Sequence, residues 1–202
     1  MIAVPLKNQA PSPPVETRTP AEAAATVDNP RPFLLEDFLQ NPPEHQEWVD
    51  GQLIETNGMT IRHVRVQGRI VSAWNAHAME SGLGGEAVPE APCRTQKQGR
   101  RPDVAYLTPE ILEEYGTAPS LPQCYPLVAE VASPDDSGEG LFAKAEEYFE
   151  AGCLEVWLVY PEARLILAKQ VGQDWRLFLP GQEIGTGEVL EGFAIAVEQL
   201  LA

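Results

Sequence analysis

The chain has 202 residues, with 30 acidic and 14 basic side chains and a formal net charge of −16. This balance argues against an ordinary DNA-binding surface. No apolar run approaches the roughly 18 residues of a membrane span, and the N-terminal residues hold no apolar signal core, so we expect a cytoplasmic protein without a membrane partner. Cys93, Cys124 and Cys153 are widely spaced without a CxxC pair, which argues against a disulfide framework or structural zinc.

The first half of the chain predicts an arm, a helix, a hairpin and a long helix. Residues 1–31 are rich in Pro, Ala, Thr and Glu without apolar periodicity, which predicts a disordered or loosely attached arm before a domain over residues 32–202. A short amphipathic helix is predicted over residues 33–39. Asp50-Gly51 between two strand-like segments indicates a hairpin with a type I′ turn. An apolar stripe at helical spacing predicts a helix from Ile61 to about Ser81.

The second half alternates strands and helices. An irregular strand region over residues 86–98 precedes a strand over residues 103–107, a short helix over residues 109–115 and a strand over residues 127–132 that is apolar on both faces. A helix follows to about Ala151. Strands are predicted over residues 154–159, 165–170 and 175–179. Residues 193–201 are predicted as a strand end followed by a short helix. This order predicts an α/β fold with a mixed sheet flanked by helices.

Positive charge is concentrated in one segment. Residues 62–101 contain seven basic and three acidic side chains, so half of the basic residues lie in one fifth of the chain, and the segment ends before Asp103. Two interpretations have equal weight: a basic approach by which nucleic acid reaches an acidic site, and ordinary solvated arginines.

One acid interrupts the apolar strand. Burying the ionised carboxylate of Glu130 costs several kcal/mol unless a cation, a metal or strong donors compensate it. Asp103 lies in the other strand, and if the two strands are neighbours, both carboxylates meet at one sheet edge. Hard oxygen ligands of this kind suit Mg²⁺ or Mn²⁺, and the backbone carbonyl of Val131 is a candidate third ligand.

The helix after this strand carries Lys144. At about 100° per residue, Lys144 lies on the border of the buried stripe that includes Tyr148, whereas Glu146, Glu147 and Glu150 are expected to face solvent. A lysine there can reach over the strand end, hold or polarise an attacking water and offset charge that develops on a phosphate. The alternative is a surface lysine paired with Glu147.

These residues resemble a known family. The chain is similar to the Uma-two-type endonucleases of the PD-(D/E)XK nuclease superfamily over roughly residues 33–202. The stretches that carry the resemblance are residues 47–55, 101–106, 127–134 and 155–159, with Lys144, Tyr148, Ala151-Gly152 and residues 190–193. The resemblance implies a restriction-endonuclease-like fold and a Mg²⁺- or Mn²⁺-dependent DNA endonuclease that leaves a 5′-phosphate and a 3′-hydroxyl.

The resemblance also implies roles for individual residues. Asp103 and Glu130 match the two catalytic, metal-binding acids. The superfamily's lysine two residues after the second acid is Ala132 here, which implies that Lys144 takes over its role. Glu47 matches an upstream acid and is the weaker candidate for a metal or water contact. His63 matches a frequent helix histidine, and its interpretation as a satisfied or packing histidine is favoured.

Two departures and two competing functions remain. The segment after Pro134 carries less charge than is usual in the family, and Tyr160 stands where an acid is often found.

The alternative to an endonuclease is a non-catalytic module that keeps the fold and binds nucleic acid or protein. A small-molecule hydrolase has no GxSxG motif to support it. A homodimer would suit cleavage of both strands of a duplex.

Overall fold

The computed structural model describes residues 31–56 and 59–202. Residues 33–202 form one compact unit. The predicted N-terminal arm lies outside the described residues except for Arg31. Within the described residues, no helix combines the length and the apolar character needed to cross a membrane.

Five α-helices and one short 3₁₀ helix, Glu188–Leu190, are found in this part of the chain, and the longer α-helices begin at polar caps. Side chains of Thr60, Thr108 and Ser137 accept hydrogen bonds from backbone N–H groups in the first turns of the second, third and fourth helices, which satisfies donors that a helix start leaves unpaired. Gly82 ends the long helix in the left-handed conformation, with φ of 74°. The helices are α1 (Leu35–Gln40), α2 (Ile61–Ser81), α3 (Pro109–Tyr115), α4 (Gly138–Glu150) and α5 (Val197–Leu201).

The central sheet has six strands in the order β10-β9-β8-β7-β6-β3. Only the β7–β8 pair is parallel, and α4 connects these two strands, as a parallel pair requires a crossover. The strands of this sheet are β3 (Glu86–Pro89), β6 (Val104–Leu107), β7 (Leu127–Val131), β8 (Glu155–Tyr160), β9 (Leu165–Gln170) and β10 (Arg176–Phe178). A mixed sheet flanked by helices was predicted from the sequence and is confirmed.

Two smaller sheets complete the domain. One has the order β2-β1-β5-β4 and the other pairs β11 with β12. Their strands are β1 (Gln46–Val49), β2 (Gln52–Glu55), β4 (Cys93–Arg94), β5 (Gly99–Arg100), β11 (Glu183–Gly185) and β12 (Ala194–Ala196). Val49 pairs with Gln52, so β1 and β2 are joined by the two residues Asp50 and Gly51, with φ of 49° and 85°. These positive φ values are those of a type I′ turn, so the hairpin prediction is confirmed.

Strand β7 separates two cores. Leu127, Ala129 and Val131 pack on the side of α2 and α5, whereas Val128 packs against the inner face of α4. Because side chains alternate along a strand, Glu130 points to the α4 side together with Val128. This alternation directs an acid toward the helix that carries Lys144.

The short strands differ from the sequence prediction. The predicted strand region over residues 86–98 is divided between β3 and β4, which belong to different sheets, while β5 and β11 were not predicted. Strands of two or three residues show no measurable periodicity, so they follow tertiary pairing rather than a local pattern. The predicted strand at Asp103 begins at Val104, which leaves Asp103 just outside the ladder.

Candidate functional site

Asp103 and Glu130 lie side by side at one end of the sheet. Strands β6 and β7 are antiparallel neighbours with Val104 opposite Ala129, so the next positions along each strand are Asp103 and Glu130. The Val131 N–H donates to Asp103 Oδ2 at 2.6 Å, which fixes the Asp103 carboxylate against the end of β7. The two predicted acids are thus brought together at one sheet edge.

Glu130 is held by two donors on one oxygen. It is only 3% exposed. The Tyr148 hydroxyl donates to its Oε1 at 2.6 Å, and Lys144 Nζ lies 3.0 Å from the same oxygen. Within the described part of the chain, no hydrogen bond to the second oxygen, Oε2, is found. Burial raises the pKa of Glu130 to about 7, partly offset by the Lys144 charge and increased by Asp103.

Lys144 lies between two carboxylates. Its ammonium is 2.9 Å from Glu47 Oε1 and 3.0 Å from Glu130 Oε1. Burial alone would lower the pKa of Lys144, but the charges of Glu130, Glu47 and Asp103 outweigh it and raise this pKa. The ammonium therefore stays protonated at neutral pH, and the border position on α4 does reach over the strand end.

The alternative prediction, that Lys144 pairs with Glu147, is wrong. Glu147 does not pair with Lys144 but with Arg100, whose Nε donates to both of its oxygens at 3.1 Å. Glu147 also accepts a hydrogen bond from the Thr95 hydroxyl. The expectation that Glu147 faces solvent is wrong for the same reason, since its side chain is 20% exposed. Helix angle alone did not reveal that strands cover this part of α4.

Glu47 is satisfied by protein donors. Besides Lys144, its Oε1 accepts from the Arg101 N–H at 2.9 Å, and its Oε2 accepts from Arg100 Nη1 at 3.1 Å. Burial would raise the pKa of Glu47, but Lys144 and Arg100 outweigh it and lower the pKa. Glu47 therefore lies at the site as an ionised acid. A direct metal contact by Glu47 stays a prediction.

His63 contacts the first acid. From the first turn of α2, its Nε2 lies 3.1 Å from Asp103 Oδ1. Burial opposes a charge on His63, but the hydrogen bond and charge of Asp103 outweigh it, so the pKa of His63 is raised. Its Nδ1 is buried and has no hydrogen-bond partner among the described residues. The interpretation of His63 as a satisfied or packing histidine is therefore confirmed at Nε2 but not at Nδ1, and the ring also orients Asp103.

The donor set fits a hard divalent cation. The Ala132 N–H donates to Val159 O on β8, and backbone groups of successive strand residues point in opposite directions. The carbonyl of Val131 thus faces the Asp103 side, as its N–H does. In the described residues, no group of three or more His, Cys, Asp or Glu side chains could hold a metal alone. Two carboxylates, one carbonyl and waters are a ligand set that Mg²⁺ accepts.

The site opens into an acidic cleft. Among the described residues, its walls carry the acids of the site together with Glu55, Glu90, Asp135 and Asp136, against three basic side chains, His63, Arg101 and Lys144. Arg101 donates to the carbonyls of Pro43 and Glu90 at 2.8 Å. Arg101, the last residue of the basic segment over residues 62–101, therefore supports the cleft wall through hydrogen bonds to the backbone. A basic surface along which nucleic acid reaches the site would have to be formed by the other basic residues of that segment.

Sequence reasoning missed two contributions. Tyr148 was assigned to the core stripe, and Arg100 to the basic segment, yet both bond to acids of the site. A signal existed for Tyr148, because residues four apart on a helix share a face and Tyr148 follows Lys144 by four. No sequence signal links Arg100 to Glu147, since strand β5 and helix α4 meet only in the folded chain.

Comparisons with known proteins identify a family and a shared fold. A family model described as "Uma2: Putative restriction endonuclease" matches residues 34–198. None of the curated proteins matches the chain. A crystal structure described as "a putative nuclease belonging to DUF820", from Anabaena variabilis ATCC 29413, superposes with a TM-score of 0.74 at 18% identity. The match covers 84% of this chain and 98% of that one, so the two share the α/β fold.

Proposed function

The chain belongs to the Uma2 family, and we propose that it is a divalent-metal-dependent DNA endonuclease of the PD-(D/E)XK type. The family supports a nuclease, because its model covers nearly all of the described domain. The observation that carries the finer proposal is the convergence of Asp103, Glu130 and Lys144 at one end of β7. One buried acid, one partly buried acid and one ammonium at a cleft are the composition that phosphodiester hydrolysis needs.

Asp103 and Glu130 would hold Mg²⁺ or Mn²⁺ through carboxylate oxygens, together with the Val131 carbonyl. When bound, the ion supplies Lewis-acid polarisation of the phosphate and a lowered pKa for a water molecule. Lys144 would orient this water and offset the negative charge that develops on the phosphate. The water oxygen bonds to phosphorus while the bond to the 3′ oxygen breaks, which leaves a 5′-phosphate and a protonated 3′-hydroxyl.

Charge supports an order of events at this site. The cleft walls carry more acids than bases, so DNA would be repelled from an empty site and drawn to one that holds a cation. We propose a cytoplasmic enzyme that acts on DNA and has no membrane partner. A homodimer would place two such clefts on the two strands of a duplex.

Plasmid cleavage tests the proposal. Supercoiled plasmid and single-stranded DNA are incubated with Mn²⁺ or Mg²⁺ and wild type, Asp103→Ala or Lys144→Ala. Lys169→Ala is a matched control, because Lys169 also pairs with an α4 acid, Glu146, at 2.8 Å. We expect wild type and Lys169→Ala to cleave alike and the two site variants to lose about 100-fold or more. Equal cleavage by all four proteins would contradict the proposal.

A non-catalytic binding module is the second candidate. One observation favours it: Lys144 already compensates Glu47 and Glu130, so the site is held together by protein groups alone. A module of this kind would cleave no DNA with any metal. Calorimetry separates the candidates further, since an endonuclease should lose Mn²⁺ binding in Glu130→Ala, whereas a scaffold should show no such loss.

A further inference from the structure

Four charged side chains at the base of the site are linked by three ion pairs into a chain that begins and ends on α4. Glu147 and Lys144 lie three residues apart on α4, on one helix face. Arg100 on β5 contacts Glu147 and donates to Glu47 Oε2 at 3.1 Å. Glu47 on β1 contacts Lys144 at 2.9 Å. This ion-pair chain therefore runs from Lys144 on α4 through Glu47 and Arg100 on two strands and returns to α4 at Glu147, with charges of alternating sign.

The ion-pair chain is shielded from solvent and anchored to the backbone. Side-chain exposures are 7% for Glu47, 14% for Arg100 and 17% for Lys144, so these charges are weakly screened. Strands β1 and β5 pair directly, with Trp48 opposite Gly99, which fixes the spacing of Glu47 and Arg100. The planar guanidinium of Arg100 grips both oxygens of Glu147, a geometry with little rotational freedom.

This arrangement fixes the position of the Lys144 ammonium. A lysine on a helix reaches the acids through a flexible four-carbon stem, and a displacement of about 1 Å at a reacting group can reduce a rate about 100-fold. Glu130 alone cannot fix the ammonium, because one contact leaves it free to swing about that oxygen. A second contact, to Glu47, defines its position, and Arg100 in turn defines the position of Glu47.

We infer that Glu47 and Arg100 are positioning residues, which hold the Lys144 ammonium against Glu130 and are not themselves ligands of the metal. This inference rests on the proposed function, since it assigns to Glu47 and Arg100 the task of aligning a catalytic lysine. It differs from the metal role predicted for Glu47 from the sequence. The two roles lead to different outcomes when Glu47 loses its charge.

The test compares Glu47→Gln, Arg100→Met and the double variant with wild type. Arg94→Met is the matched control, because Arg94 lies on neighbouring β4 and its side chain forms a half-exposed ion pair with Glu36. Four quantities are measured: kcat and KM for plasmid cleavage with Mn²⁺, Mn²⁺ affinity by calorimetry, and the rate at which acetic anhydride acetylates Lys144. Mass spectrometry quantifies the acetylation, with Lys169 as the internal reference.

The inference predicts that kcat falls about 10- to 100-fold in each single variant while KM and Mn²⁺ affinity are retained. Acetylation of Lys144 rises several-fold, and the double variant is no worse than the weaker single one because both act through one lysine. Arg100→Lys recovers part of the kcat. If Arg100→Met does not fold, Glu147→Gln replaces it, since this change releases Arg100 from the helix side.

Three results would overturn the inference. Loss of Mn²⁺ affinity in Glu47→Gln would make Glu47 a metal ligand. Unchanged kcat and unchanged Lys144 acetylation in both variants would remove the positioning role. An equal effect of Arg94→Met would show a general effect of charge. If wild type cleaves no DNA with any metal, the proposed function fails instead, and the acetylation rates alone decide whether Glu47 and Arg100 hold Lys144.

Discussion

Replacing Lys144 by methionine removes the cation shared by two buried acids. Breaking a buried ion pair on one side costs about 3–5 kcal/mol. Glu47 retains Arg100, and Glu130 retains the Tyr148 hydroxyl, so we expect the lower end, about 3 kcal/mol. For a domain of this size, that loss lowers Tm by about 6–12 °C.

The destabilisation by Lys144→Met should also depend on pH. In wild type the pKa of Glu130 is raised from its ordinary value of 4.5 to about 7, so the stability that its protonated form contributes is present below about pH 4.5 and lost as pH rises through 7. Without Lys144 this pKa lies higher still, and the variant keeps losing stability above pH 7. From pH 6 to pH 8 the difference between wild type and variant should grow by about 1.4 kcal/mol.

Thermal unfolding followed by circular dichroism at pH 6, 7 and 8 measures this effect. Lys169→Met serves as the control, because its ion pair with Glu146 involves a half-exposed acid, and such pairs contribute about 0–1 kcal/mol. A Tm difference that is independent of pH would refute the reasoning about Glu130. A difference no larger than that of Lys169→Met would refute the buried compensation by Lys144.

Three further predictions concern single contacts. Tyr148→Phe removes a hydrogen bond to buried Glu130, so the free energy of unfolding should fall by about 1.5–3 kcal/mol and Mn²⁺-dependent cleavage should weaken. Wild-type values in both assays would argue against this bond. Mn²⁺ affinity, measured by calorimetry, should rise about tenfold per pH unit up to about pH 7, because Glu130 must lose its proton to bind the ion. Asp103→Asn should abolish this affinity, and an affinity that does not change with pH would exclude Glu130 as a ligand. Gly99→Ala places a methyl group against the Phe38 ring and should cost about 1–3 kcal/mol in chemical denaturation, whereas an unchanged midpoint would show that the ring can move.

Local signals explain what the sequence could predict. The Asp50-Gly51 turn, the capped helix α2 and the apolar strand β7 each depend on residues close in sequence, and the structure contains all three. The unusual acid in β7, Glu130, also indicated the location of the site, because an isolated buried carboxylate needs partners. Placing Lys144 on the border of the buried stripe was enough to predict that it could reach over the strand end.

Tertiary placement explains what the sequence could not predict. The ion pair between Arg100 and Glu147 depends on how the β1–β5 sheet lies against α4, and 47 residues separate the two side chains. The acidic character of the cleft likewise follows from the folded path of the chain, which turns Arg101 toward backbone carbonyls. A count of charges along residues 62–101 could not distinguish such inward arginines from a DNA-binding face.

A crystal of the protein soaked in Mn²⁺ gives the most direct test of the proposed site. Anomalous diffraction locates manganese without reference to any assumed ligand. We predict a peak within coordination distance of the carboxylates of Asp103 and Glu130 and of the Val131 carbonyl, with Lys144 and Glu47 outside that distance. No peak at this sheet edge, or a peak held only by other acids, would contradict a metal-dependent nuclease built on these residues.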